Sequence, residues 1–204
     1  MAVAVSTPKG LATRETIIAR AYALAARSGL ESVSIGELAA AVGMSKSGVF
    51  AHFGAREDLL RAVLDWASER FLDRVMRPAL AQPRGLVRLH ALLDHWIAWL
   101  EDNPEGCVVL GACGEYDGRP GPMRDHVAAL MARWLEALER AVALAISTGE
   151  LRADTDARLL VFELISMMQG IHHSRLLYAP AAATDMGRQA LRHLLDAHRA
   201  AGPR

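Results

Sequence analysis

At 204 residues the chain suits one compact domain, or a small head joined to a larger body. Hydrophobic residues make up 52% and charged residues 23%, which excludes a disordered chain. Lys plus Arg equals Asp plus Glu at 23 each, which gives no support to a generally polyanion-binding protein, so any charge for a polyanionic partner must be local. Ala, Leu, Arg and Glu dominate over β-branched residues, so helix is favoured. Cys107 and Cys113 cannot form a disulfide framework, and a reducing cytoplasm is the expected setting. On one helix they would point about 240° apart. Residues 1–12 lack the basic start and apolar run of a signal peptide and are expected to form a disordered arm. The longest apolar stretch, Leu159–Ile171, is too short for a bilayer and is broken by Glu163, Ser166 and Gln169, so no membrane partner is expected.

The pattern predicts an all-α fold of about nine helices, with no strand alternation and no repeat. The first helix begins near Thr13, puts Ile17, Ile18, Ala21, Leu24 and Ala25 on one side, and stops at Ser28-Gly29. Ser34 lies three residues before Glu37, a capping-box spacing that starts a second helix running to about Val42. Gly43 breaks it, and Ser45 caps a third, short helix that reaches His52 or Phe53. After Gly54-Ala55 a long helix is predicted over Arg56–Arg77, ending before Pro78. Beyond it come helices over about Gly85–Asp102 and Glu105–Cys113, then a loop at 117–122. Three more are predicted over Met123–Thr148, from Asp154 or Thr155 to Tyr178, and over Thr184–Ala200. This divides the chain into an arm (1–12), a helix-turn-helix head (13–55) and a larger helical ligand-binding and dimerisation body (56–204).

The head carries the functional signal. Two short helices joined by a tight turn cross steeply, so the crossing needs a small residue and the turn needs glycine. Ala39 and Gly43 supply these. Leu38, Val42, Val49 and Phe53 then pack inward. Ser45, Lys46, Ser47 and Gly48 are left at the exposed start of the third helix, the end that enters a major groove in this motif. From Lys9 to Arg56 six bases (Lys9, Arg14, Arg20, Arg27, Lys46, Arg56) face three acids (Glu15, Glu31, Glu37), a local basic surplus.

The run Ser34-Ile35-Gly36-Glu37-Leu38-Ala39-Ala40-Ala41-Val42-Gly43-Met44-Ser45-Lys46-Ser47-Gly48-Val49-Phe50-Ala51-His52-Phe53, followed by Arg56-Glu57-Asp58-Leu59-Leu60, resembles the tetracycline-repressor (TetR) family. The likeness covers roughly residues 13–65. It implies an all-helical homodimer with three N-terminal helices on double-stranded operator DNA and a body that binds a small-molecule effector. By position it implies that Ser34, Lys46, Phe50, His52 and Arg56 contact phosphate or brace the head. Ser45, Ser47, Gly48 and Ala51 fall on or beside the groove-facing surface. Phe50 replaces the family's usual Tyr and cannot donate a phosphate hydrogen bond, which shifts weight to Lys46, Arg56 and backbone amides. Gly48 and Ala51 have no hydrogen-bonding side chain, so direct base reading is expected to be sparse.

In the body, Trp96, Trp99, Cys107, Met131, Trp134, Met167, Met168 and His172 are the candidate ligand-binding residues. Large, adaptable apolar side chains suit a cavity for an apolar or amphipathic ligand, although the same spacing also suits ordinary core. His90, His95, His172 and His173 have no carboxylate or Cys at ligand spacing, so no metal is expected. Phe162, Met186, Leu191, Leu194 and Leu195 are the candidate dimerisation residues, on two helices fit for a four-helix bundle between protomers. The expected function is a ligand-responsive transcriptional repressor that binds a near-palindromic operator and is released by its ligand. No cofactor is implied. The chain has no Gly-x-Ser-x-Gly elbow, no His-Glu-x-x-His and no phosphate-binding loop, so an enzyme is not expected. The alternative is a helical small-molecule-binding protein or enzyme that does not act on DNA.

Overall fold

The computed structural model describes residues 8–178 and 182–201. Helix α1 spans Pro8–Ser28, so residues 8–12, expected within a disordered arm, are helical, while residues 1–7 lie outside the described residues. Pro8 stands at its first position, where a missing N–H leaves no bond unmade. Ile17, Ile18, Ala21 and Ala25 face inward, and Gly29 ends the helix with φ +87°. Two short helices follow, α2 (Ile35–Ala41) and α3 (Lys46–Phe53). Between them Gly43 sits at φ +67°, the left-handed conformation that lets Met44 N–H reach Ala39 O at 2.9 Å. A Cβ on Gly43 would meet nothing within 4 Å. Gly43→Ala is therefore expected to cost only the backbone term, about 1 kcal/mol. Thermal unfolding should show a Tm lower by about 2–4 °C; an unchanged Tm would mean that the turn does not depend on this conformation.

Helix α4 (Arg56–Phe71) does not stop before Pro78. It runs on through a π turn (Leu72–Met76) into a last helical turn at Arg77–Leu80. Arg77 N–H bonds to Leu72 O, and Pro78 occupies an early position of the final turn, where its missing N–H has no partner to lose. The body continues with α5 (Leu86–Asp102), α6 (Val108–Tyr116), α7 (Pro122–Ser147), α8 (Ala157–His173, extended by a π turn at Ser174–Tyr178) and α9 (Ala183–Ala197). Counting α4 with its extension as one, the described residues hold nine helices and no named strand.

Helix α6 lies three residues later than the apolar run suggests. Gly106 turns the chain at φ +110° and Cys107 is extended, so Cys107 and Cys113 do not share a helix. Helix α8 starts at Ala157 because Asp156 Oδ1 accepts from Arg158 N–H at 2.9 Å and Leu159 N–H at 3.1 Å. Helix α9 ends at Ala197 rather than Ala200, since the chain beyond it pairs with the α7–α8 link. There Arg152 N–H donates to His198 O at 2.9 Å and Ala200 N–H to Glu150 O at 3.0 Å.

Two buried clusters hold these helices. One lies among α5, α7, α8 and α9, around Leu89, Leu92, Trp96, Leu100, Leu138, Leu160 and Leu164. The other joins α1–α4 to Val108, Ala112 and Tyr116 of α6 and to Met123, Val127 and Leu130 of α7. The head is thus packed directly on one end of the body. No helix among the described residues is long and apolar enough to cross a membrane.

Candidate nucleic-acid interface and ligand pocket

The sequence caps α2 and α3 as serine chemistry dictates. Ser34 Oγ accepts from Glu37 N–H at 3.1 Å and lies 3.2 Å from Glu37 Oε2, so the carboxylate takes the hydroxyl proton rather than the Ser34 backbone N–H. Ser45 Oγ accepts from Gly48 N–H at 3.1 Å and pairs with Ser47 Oγ at 3.0 Å. Val49 and Phe53 face the core, while Ser45, Lys46, Ser47, Phe50 and Ala51 face outward. Gly48 is half-buried beneath Met44, and His52 is half-buried with its ring beside Phe53. The first-turn amides of Lys46 and Ser47 have no intrahelical acceptor and open toward the same surface.

Lys46 has no ion-pair or hydrogen-bond partner for its ammonium among the described residues. Its stem runs over Gly36 so closely that a Cβ there would sit 3.2 Å from Lys46 Cε. Gly36, unremarkable in the sequence, is what leaves room for this lysine. Arg56, in contrast, is a brace. Its Nε–H donates to Val33 O at 3.0 Å, and its terminal nitrogens donate to the carbonyl and carboxylate of Glu31.

Glu31 belongs to a larger tie between head and body. Glu115 on α6 accepts from Leu30 N–H at 2.8 Å and from Glu31 N–H at 2.7 Å, one backbone amide per carboxylate oxygen. Neighbouring Tyr116 donates its hydroxyl to Glu31 Oε1. That hydrogen bond, with help from Arg56, holds the Glu31 carboxyl below its ordinary value, while burial and the Glu31 carboxylate push the Tyr116 phenol up. The Glu31 contribution is complete above the ordinary carboxyl range and fades as pH falls through its lowered folded value. In the sequence Glu115 has no evident chemical partner and suits a turn or solvent role; contacts across 85 residues leave no local signal.

An apolar pocket in the body encloses about 630 Å³ of space, part of it open to solvent. Of the sequence candidates it gathers Trp96, Trp99, Cys107, Met131, Trp134 and Met168 on one wall. Met167 is packed half-buried against the core instead, and His172 faces a second cavity at the seam with α1. Tyr22, Ser68, Phe71, Leu110 and Gln169 also line the apolar pocket, with Ala67, Val108, Val109, Leu130 and Ile165 between them. Tyr22 comes from the head, with its hydroxyl donating to Asn103 Oδ1 at 3.1 Å and its pKa raised by burial to about 12. Phe71 stands edge-on to Trp99 and Trp134, with ring centres 5.9 and 5.1 Å away. No lining side chain carries a charge: burial keeps the Cys107 thiol protonated. Burial also raises Cys113, to about 11, and lowers His172 to about 4, so that neutral His172 accepts the Cys107 backbone N–H at 3.3 Å.

Comparison with known proteins agrees with this geometry. Residues 17–63 match the model for bacterial regulatory proteins of the tetR family, and residues 85–191 match the tetracyclin repressor-like C-terminal domain. The chain belongs to the tetR family. A TetR transcriptional regulator from Chloroflexus aurantiacus J-10-FL is 29% identical, with a TM-score of 0.86 over 96% of this chain and 100% of that one. AibR, solved with isovaleryl coenzyme A and operator DNA, is 23% identical and shares the fold, with a TM-score of 0.74 over 90% of this chain and 97% of that one. The repressor ComR of Escherichia coli K12 is 24% identical over 163 residues, 78% of this chain and 77% of its own. A 26% identical match to the nucleoid occlusion factor SlmA of Colwellia psychrerythraea is confined to 80 residues, 39% of this chain and 40% of that relative's length.

The dimerisation candidates of this TetR-family chain separate into two groups. Phe162 on α8 is 68% exposed and Met186 on α9 is 53% exposed, and Leu159, one turn before Phe162 on α8, is also exposed. Leu194 is half-buried. Leu191 and Leu195, expected at an interface, are turned into the chain's own core, 2% and 1% exposed. A helix face with leucines at i and i+4 looks the same in sequence whichever neighbour covers it.

Proposed function

We propose that this protein is a homodimeric, ligand-responsive transcriptional repressor that binds a near-palindromic operator in the cytoplasm through α3 of each protomer. The observation that carries the reading is the exposed start of α3. An unpaired Lys46 ammonium and the free first-turn amides lie together on one surface, over a rigid base of Val49 and Phe53. Phosphate oxygens fit that chemistry. Arg56 acts in this reading as a brace, so Lys46 carries more of the contact. Lys46→Ala should weaken binding to all DNA sequences and reduce the slope of log affinity against log salt by about one. Quantitative gel-shift titration at several salt concentrations measures both, and an unchanged slope removes Lys46 from the interface.

Phe162, Leu159 and Met186 would be covered by the second protomer, which places two α3 helices on one duplex. The effector would occupy the apolar pocket and be an apolar or amphipathic molecule. The body reads as a binding site rather than a catalytic one, because its wall offers large rings, thioethers and no charged group. Two elements link that site to the head. Helix α4 lines the pocket with Ala67, Ser68 and Phe71 and begins at Arg56. Helix α6 lines it with Val108, Val109 and Leu110 and ends on the Glu115–Tyr116 tie. A ligand that fits a different placement of either helix would reorient the heads in proportion to its differential affinity for the two arrangements.

A further inference from the structure

Two polar side chains interrupt the apolar wall of the pocket, and neither has a partner. Ser68, on α4, and Gln169, on α8, are half-buried, line the same space and make no side-chain hydrogen bond among the described residues. Of the remaining polar functions in the wall, the Trp99 indole N–H is also buried without a hydrogen-bond partner, and it can only donate, to an oxygen such as a carbonyl. Tyr22 is bonded to Asn103, and the Cys107 thiol stays neutral. A serine hydroxyl and a carboxamide can each donate or accept, so together they can meet a carbonyl or hydroxyl but cannot neutralise a charge. Burying a charged ligand group against this wall would leave it unpaired. The perpendicular rings of Phe71, Trp99 and Trp134 favour a flat ring system that can meet both faces and edges.

We infer that the pocket selects an uncharged, ring-bearing molecule whose polar oxygen is held by Gln169 and Ser68. This rests on the reading of the body as an effector site, and it makes two residues specificity-determining that neither the motif nor the pocket's apolar character singles out. Because Ser68 belongs to α4 and Gln169 to α8, a ligand held by both ties the helix that leads to the head to the body.

The test uses four probes of similar shape: 2-acetylnaphthalene, 2-ethylnaphthalene, 2-naphthoate and (2-naphthylmethyl)trimethylammonium. Binding to the full chain is followed by calorimetry and by tryptophan quenching. The ketone should bind about five- to tenfold tighter than the hydrocarbon, the difference one net hydrogen bond makes. Both charged probes should bind at least about tenfold more weakly than the ketone. Gln169→Leu should bring ketone and hydrocarbon within about twofold of each other, and Ser68→Ala should narrow the gap. Each variant supplies its own hydrocarbon control, and a red-shifted carbonyl stretch of the bound ketone in the unmodified chain gives a readout that needs no variant. Tighter binding of either charged probe overturns the proposal. So does a ketone preference that survives both substitutions, or an absence of binding by all four. A preparation that shifts operator DNA but binds no probe overturns the ligand class alone; one that binds the ketone but no DNA overturns the regulator reading instead.

Discussion

Ser47→Glu is expected to abolish operator binding while leaving the protein folded. Ser47 is exposed in the first turn of α3, beside the Ser45 cap and the Lys46 ammonium. A carboxylate at that end of a helix is favourable to the helix itself, since it faces the positive end of the peptide dipoles. Its hydroxyl contact with Ser45 is a surface interaction, and the Ser45 cap on Gly48 N–H remains. On DNA the same carboxylate would be set against phosphates. Like charges brought together at an interface cost several kcal/mol, so an affinity loss of more than about a hundredfold is expected. Gel shift measures the loss, and circular dichroism checks that Tm stays within about 2 °C of the parent, as befits a surface substitution. Retained operator affinity would take the start of α3 away from the DNA.

Glu115→Ala acts at the opposite end of the logic, on stability first. The carboxylate is the acceptor for two consecutive backbone amides, and Leu30, which carries one of them, is 1% exposed. Removing it leaves both donors without their acceptor at a part-buried site, a loss of up to about 1–3 kcal/mol for each group. A combined destabilisation of about 3 kcal/mol corresponds to a fall in Tm of roughly 6–12 °C for a chain of this size. Glu115→Gln keeps one acceptor oxygen and should fall between the two. Thermal unfolding at a pH above the carboxyl range gives the comparison. A change below about 1 kcal/mol would show that Ala112, Tyr116 and Arg56 hold the head without this carboxylate.

Legibility in the sequence follows the range of the interactions. Everything in the head that depends on neighbours within a turn or two can be read directly: the Ser34 and Ser45 caps, Gly43 in the turn, and Val49 and Phe53 facing inward. The pocket is half legible. Trp and Met at helical spacing reveal α5 and α7, but Tyr22, Phe71 and Gln169 join the wall only through tertiary packing. Glu115 and Gly36 are invisible for the same reason, because their partners are a distant backbone and a neighbouring lysine's stem. Pro78 misleads because a helix-breaking rule assumes an α register, whereas the preceding π turn gives the chain another way through. Leu191 and Leu195 mislead because amphipathic spacing names a buried face without naming what buries it.

The most direct test is to let the purified full chain select binding sites from a random duplex library. Two exposed α3 starts on a two-fold dimer should enrich an inverted repeat whose half-site centres lie about 10 base pairs, or a multiple of that, apart. Enrichment of an unrepeated sequence, or recovery of the library unchanged, would contradict the paired presentation of Lys46 and its neighbouring amides to one duplex.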